Sequence, residues 1–213
     1  VTISERSAGA MLALAGVMLI VIIVDYISTM SGLRGVAGAP TPAEVAAYAS
    51  THYDRLALGW HFEILAMAML GAAALTLMDR VSRVGWALVA IGVAVVAPMY
   101  AIMIGGYGAV FSSEPINVQL YSTLRAVATE IFYTGNLFIN TGLAIAFCLE
   151  LRTENKVLPG WFFFLAIGAN VIVALTFLLT HFGILSNFTI AGPVILVAFA
   201  LLSVFGGRLA TKK

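Results

Sequence analysis

AGAMLALAGVMLIVIIV, residues 8 to 24, runs for seventeen residues without one polar side chain. Wound as a helix at about 1.5 Å per residue, such a run covers most of a hydrocarbon core about 30 Å thick. Extended to residue 27 it is long enough to cross, and five further runs of the same kind follow at 56–78, 84–108, 120–149, 160–181 and 188–207. The connections between them are short and polar or glycine-rich. The expectation is an all-α, polytopic integral membrane protein: a six-transmembrane-helix bundle forming one domain over residues 1–213.

Composition agrees with this reading. The 213 residues are 62% hydrophobic and only 10% charged, with a mean hydropathy of +1.04, whereas soluble domains carry about 25% charged residues. A net charge of +1 provides no basic field for nucleic acid. The single cysteine, Cys148, excludes an intramolecular disulfide and any CxxC motif. The first apolar run is longer than a signal-peptide core, and the small-x-small pair Ala37 and Ala39 lies well beyond its end, so it is expected to stay as an anchor.

Basic residues set the expected orientation. With the N-terminus inside, the inner segments hold Arg6, Arg80, Arg83, Arg152, Lys156, Arg208, Lys212 and Lys213, and the outer ones only Arg34, Arg55 and Arg125. Eight against three in short loops predicts both termini in the cytoplasm, in a bacterial inner membrane. In the first outer loop, "TPAE" at 41 to 44 offers Thr41 as N-cap, Pro42 in the first turn and Glu44 as capping-box acid. A short amphipathic surface helix is expected there. "SSEP" at 112 to 115 is a weaker start signal before span four.

The second span, entered through THYDRLALGWHFEILAMAML at 51 to 70, begins in charges. In the N-in orientation these lie at the outer interface, and the other spans add to the same level: Asp25 closes span one, Arg125 and Glu130 open span four, and His181 closes span five. Ionisable groups are costly in lipid and normally pair or face a cavity. The expected site is therefore a polar pocket near the outer leaflet, built from Asp25, Arg55, His61, Glu63, Tyr100, Arg125, Glu130, Asn136 and His181. Glu63 and Glu130 would supply charge, Arg55 and Arg125 would pair with them or grip an anion, and His61 would exchange a proton or a ligand bond.

Span four carries a polar stripe of Ser122, Arg125, Thr129, Asn136 and Asn140 near whole-turn spacing. Asn140 and Asn170 fall near the midplane of neighbouring spans, where an interhelical hydrogen bond is the ordinary role. In span three, Pro98 removes a backbone donor and "GGYG" at 105 to 108 follows it, so the outer end should be irregular. Outer-layer aromatics, among them Tyr26, Trp60, Phe62, Tyr107, Tyr121 and Phe182, are read as an interfacial belt rather than a ligand cage.

Known chemistries fit the sequence poorly. There is no H-E-x-x-H, no E-x-x-H, no phosphate loop and no nucleophile elbow. His61 and Glu63, two residues apart, point about 200° apart around a helix and cannot share an ion. A metal would need His61 with His181, joined by Met99 and Met103 as soft copper ligands, and a b-type haem would need the same two histidines as axial ligands. The expected function is that of a non-catalytic, cofactor-free protein whose partners are the bilayer, a small molecule and other membrane subunits. The alternatives are a proton- or ion-coupled carrier using Glu63 and Glu130, and a metal or haem component of an oxidoreductase.

Overall fold

The computed structural model describes residues 2–35, 40–185 and 191–212, and among them every regular element is helical. The helices are α1 (Ile3–Met30), α2 (Pro42–Thr51), α3 (Tyr53–Leu77), α4 (Arg83–Ala101), α5 (Tyr107–Phe111), α6 (Val118–Arg152), α7 (Gly160–His181) and α8 (Ala191–Thr211). A 3₁₀ turn, Ser31–Gly35, follows α1, and a π-helical turn, Ile102–Gly106, joins α4 to α5. Six segments are long and apolar enough to cross a bilayer: Ser4–Leu33, Tyr53–Leu77, Arg83–Phe111, Val118–Arg152, Gly160–His181 and Gly192–Thr211. The chain is a multi-pass helical membrane protein. Residues 188–190 of the expected sixth span lie outside the described residues.

Each spanning helix packs on its sequence neighbours, and the last packs on the first: α1 on α3, α3 on α4, α4 on α6, α6 on α7, α7 on α8 and α8 on α1. The result is a closed ring. Two of its contacts are backbone to backbone. A Cβ on Gly85 would stand 2.9 Å from the Gly142 carbonyl oxygen, and one on Gly92 only 2.6 Å from that of Gly135. On the opposite side of the ring, a Cβ on Gly206 would meet the Gly9 carbonyl at 2.5 Å and one on Gly16 the Phe199 carbonyl at 2.7 Å. In both pairs the partner number falls as the first rises, which is antiparallel register, and the seven-residue glycine spacing keeps one seam facing the neighbour. Lipid tails give no hydrophobic reason for helices to associate, so such close approach supplies the van der Waals contact that does.

Rings fill the space inside. Trp86, Phe147, Phe163 and Phe205 come from four helices and pack together, with Phe147 and Phe205 edge to face at 5.3 Å. Nearer the end opposite the termini, Tyr53, Trp60, Tyr107, Phe111 and Tyr121 form a second cluster, and the Tyr53 hydroxyl donates to the Ile104 carbonyl of the π turn. Trp60, Tyr107 and Tyr121 are thus buried packing, which corrects the belt reading for these three; Tyr26, Phe62 and Phe182 are exposed.

Several local expectations hold and one moves. The helix after Thr41 is present, with the reciprocal capping box: Glu44 N–H donates to Thr41 Oγ1 at 3.3 Å, and Thr41 N–H donates to Glu44 Oε2 at 2.7 Å. Tyr48 ties this helix to α1 by donating to the Thr29 carbonyl at 2.7 Å. The irregular stretch after Pro98 is the π turn, where the ladder has already lost the proline's donor. The cap of α6, however, is Asn117, whose Oδ1 accepts from Leu120 N–H at 2.9 Å, so "SSEP" precedes a connection rather than a helix start.

The most enclosed charges lie at the end that carries the termini. Arg80, in the connection from α3 to α4, donates to Glu5 of α1 at 2.7 Å and to Glu150 of α6 at 2.8 Å, with Glu150 only 4% exposed. Burial works against the Arg80 charge, but the Glu150 and Glu5 carboxylates outweigh it and hold the guanidinium pKa above its usual value. Removing one member of such a group strands a buried charge. Glu150→Ala should therefore lower stability by about 3–5 kcal/mol, against at most about 1 kcal/mol for Arg83→Ala in the exposed Asp79–Arg83 pair. Denaturation of both variants in one detergent checks this, and equal losses would contradict it.

The capping box has a pH signature. Hydrogen bonds from the Thr41 amide and hydroxyl hold the Glu44 carboxyl below the usual carboxylate range. With the folded pKa depressed, the cap's contribution is complete above the ordinary glutamate range and is lost as pH falls through the lowered value. A carbon-detected NMR titration of Glu44 should show the low value, and Thr41→Val, which keeps the amide but loses the hydroxyl, should abolish part of the shift and move Glu44 back towards the ordinary range. An ordinary Glu44 in the parent protein would refute the cap's electrostatic role.

Candidate functional site

Five helices, α1, α3, α4, α6 and α7, carry the expected polar residues towards the end opposite the termini, but not into one pocket. Arg55 of α3 pairs with Asp25 of α1, Nη2 to Oδ1 at 2.5 Å, with both side chains substantially exposed. His181 of α7 lies 2.9 Å through Nδ1 from Glu130 of α6, again on an exposed surface. Glu63 of α3 is half-buried beside Tyr100 of α4. The expected pairing of Arg55 and Arg125 with Glu63 and Glu130 is therefore corrected. The partners used come from neighbouring helices instead, Asp25 of α1 for Arg55 and His181 of α7 for Glu130.

His61 is exposed, and its Nδ1 lies 2.6 Å from the Ala57 carbonyl of its own helix. It joins no other predicted residue. In the ring α3 and α7 stand opposite one another, each packed on different neighbours, so His61 and His181 are not placed as a pair for haem or copper. Met99 is buried and Met103 packs partly buried against the core. Among the described residues no group of three or more His, Cys, Asp or Glu side chains is arranged to hold a metal ion.

The midplane asparagines also depart from expectation. Asn140 donates to the Asn136 carbonyl at 2.8 Å, Asn170 to the Ala166 carbonyl at 2.8 Å and Asn136 to the Phe132 carbonyl at 3.0 Å. Each amide thus bonds within its own helix, and the Oδ1 atoms of Asn140 and Asn170 have no partner among the described residues. The expected bond between the two helices is not made.

What remains is a cleft of about 420 Å³ between the start of α2 and the exposed length of α6. Pro40, Pro42 and Val45 form one wall; Tyr121, Ser122, Arg125, Ala126, Thr129 and Glu130 form the other. The capping box fixes the first wall by setting where α2 begins, and Tyr48 pins that helix on α1. Arg125 lies about 40 Å along α6 from Arg152 at about 1.5 Å per residue, beyond the reach of a hydrocarbon core of about 30 Å. Thr129 turns its hydroxyl back to the Arg125 carbonyl at 2.8 Å. Glu130 is engaged with His181, whereas Arg125 makes no ion pair or side-chain hydrogen bond among the described residues.

The chain matches no protein-family model, no curated protein and no solved structure. Its chemistry is accordingly read from these residues alone. Sequence reasoning placed Arg125, Ser122 and Thr129 on one stripe, and the cleft includes all three. It missed the proline wall, although the capping signal that positions it was legible. It also missed the Glu5–Arg80–Glu150 group, whose members are 75 and 70 residues apart in sequence and meet only when the ring closes.

Proposed function

We propose that this protein resides in a bacterial inner membrane with both termini in the cytoplasm, and that it is a non-catalytic binding protein or an accessory subunit of a larger membrane complex. Its ligand in this reading is an anionic amphiphile, held at the outer face in the cleft between α2 and α6. The excess of basic residues in the segments on the side of the termini supports the orientation. On that assignment α2 is the amphipathic helix of the first outer loop, turning Val45, Ala46 and Ala49 inward.

One observation carries the ligand class: Arg125 lines a cleft with apolar and hydroxyl neighbours while lacking an acidic partner among the described residues. A guanidinium at headgroup depth can take a phosphate, sulfate or carboxylate through two parallel hydrogen bonds. Ser122 and Thr129 add hydroxyls, and the proline wall accepts the first methylenes of a chain. Glu130 is more than half exposed and already paired, which weighs against its use as the buried proton carrier of a transporter.

The test uses the full chain in nanodiscs of phosphatidylcholine, titrated with dodecyl phosphate. Loss of a charge-assisted hydrogen bond is worth roughly 1.5–3 kcal/mol, so Arg125→Ala should weaken binding by about 10- to 100-fold, with Arg83→Ala unchanged. Dodecanol should compete poorly. Equal affinity in Arg125→Ala, or equal competition by the alcohol, would overturn the reading.

A further inference from the structure

The tyrosines gathered towards the end opposite the termini differ in whether the fold uses their hydroxyls. Tyr48 and Tyr53 donate to carbonyls, and Tyr100 is hydrogen-bonded to the Glu63 carboxyl. The hydroxyls of Tyr26, Tyr107 and Tyr121 have no partner among the described residues. Tyr107 and Tyr121 are only 6% and 4% exposed, with ring centroids 5.1 Å apart, yet their hydroxyls are not among the fully enclosed polar atoms that lack a partner. The rings are packed and the tips reach open space. A donor in such a place is costly unless water or a ligand accepts from it.

The three meet around Arg125. Tyr121 precedes it by one turn of α6 and lines the same cleft. The Arg125 charge is felt at the hydroxyls of Tyr26, Tyr107 and Tyr121 alike, and Tyr26 acts on the other two. Tyr26 belongs to α1, which packs on α3 and α8, whereas α6 packs on α4 and α7, so groups on α1 and α6 meet across the middle of the ring. Along α1, Tyr26 continues the inward stripe of Leu12 and Leu19 at seven-residue steps; those two are 0% and 1% exposed, and Tyr26 45%. Its exposure is therefore to the mouth of the ring rather than to lipid. Helix α2 packs on both α6 and α3 across this mouth, so the cleft between α2 and α6 leads inward to the tyrosines. The acid that acts on Tyr26, Glu63, has its carboxyl engaged by Tyr100.

We infer that the anion taken at Arg125 is a tetrahedral one with three terminal oxygens, a phosphate monoester, seated inside the mouth of the ring on the guanidinium and the hydroxyls of Tyr26, Tyr107 and Tyr121. This rests on the reading of Arg125 above and narrows its ligand. Two parallel hydrogen bonds from a guanidinium fill one edge of an anion. A carboxylate has both its oxygens on that edge. A phosphate monoester keeps a third oxygen for donors that arrive from α1 and α5, and its charge of about −1.5 to −2 strengthens each bond. Four donor groups from three helices, with no free acceptor among them, match an ionised headgroup that only accepts.

The experiment uses the full chain in phosphatidylcholine nanodiscs and compares dodecyl phosphate with dodecanoate at mildly alkaline pH, where both headgroups are ionised, against empty discs to remove partitioning. The parent should prefer the phosphate by about tenfold or more. Tyr26→Phe, Tyr107→Phe and Tyr121→Phe keep the rings and lose no hydrogen bond within the protein, so unfolding temperatures should not change. Each should weaken dodecyl phosphate about tenfold, the loss of one hydrogen bond to a charged group, and leave dodecanoate within about twofold. Inorganic phosphate should compete if the anion is one free in solution and should not if it is a lipid headgroup; the tyrosine effects are expected in both cases. A hydroxyl whose removal changes nothing is no ligand group. If all three are silent while Arg125→Ala still loses the phosphate, the inference is overturned and the Arg125 reading stands; if Arg125→Ala binds as the parent does, both fall. Equal affinity of the parent for phosphate and carboxylate also overturns the inference.

Discussion

Everything in this molecule depends on how closely four helix backbones approach one another. Where Gly85 and Gly92 of α4 lie on Gly142 and Gly135 of α6, and Gly9 and Gly16 of α1 lie on the α8 segment from Phe199 to Gly206, there is no room for another atom. These two seams lie on opposite sides of the ring and leave α3 and α7 as the helices between them. Antiparallel register along each seam fixes the depth of every other residue. It brings the α1 start, the α3–α4 connection and the α6 end together, which is why Glu5, Arg80 and Glu150 can meet.

The two ends of the ring manage charge in different ways. Near the termini one guanidinium is shared by two carboxylates and largely shielded from solvent, with Glu150 the most deeply buried, a geometry in which losing one partner leaves a poorly hydrated charge. At the opposite end the pairs are separate, exposed and local to one helix contact: Asp25 with Arg55, Glu130 with His181. Such pairs add little stability. Because they consume Asp25, Arg55 and Glu130 among themselves, they leave Arg125 without a charged partner among the described residues.

Much of this was legible in the sequence. Span count follows from apolar length alone, since a bilayer demands about 20 such residues, and all six runs correspond to helices. The capping box around Thr41 and Glu44 was readable because its partners are three residues apart. The gathering of Asp25, Arg55, Glu130 and His181 at one end of the bundle was readable too. Their partners were not: Arg55 could not be assigned to Asp25 rather than Glu63 without knowing that α3 turns that face to α1. The asparagines show the same limit, because an amide at the midplane can bond to its own helix as readily as across to the next, and Asn140 and Asn170 do the former. The glycine seams were visible as residues but not as contacts, since nothing in an apolar run says which glycine opposes which.

Cross-linking tests the closed ring most directly. Ser203 of α8 donates to the Ala13 carbonyl of α1 at 3.1 Å, so the two backbones are adjacent at that level. In a Cys148→Ser background, Ala13→Cys with Ser203→Cys should form an intramolecular disulfide under mild oxidation in native membranes. His61→Cys with His181→Cys, on opposite helices, should not. A cross-link confined to the second pair, or none at the first, would contradict a ring closed by α1 on α8 and the placement of every group described on it.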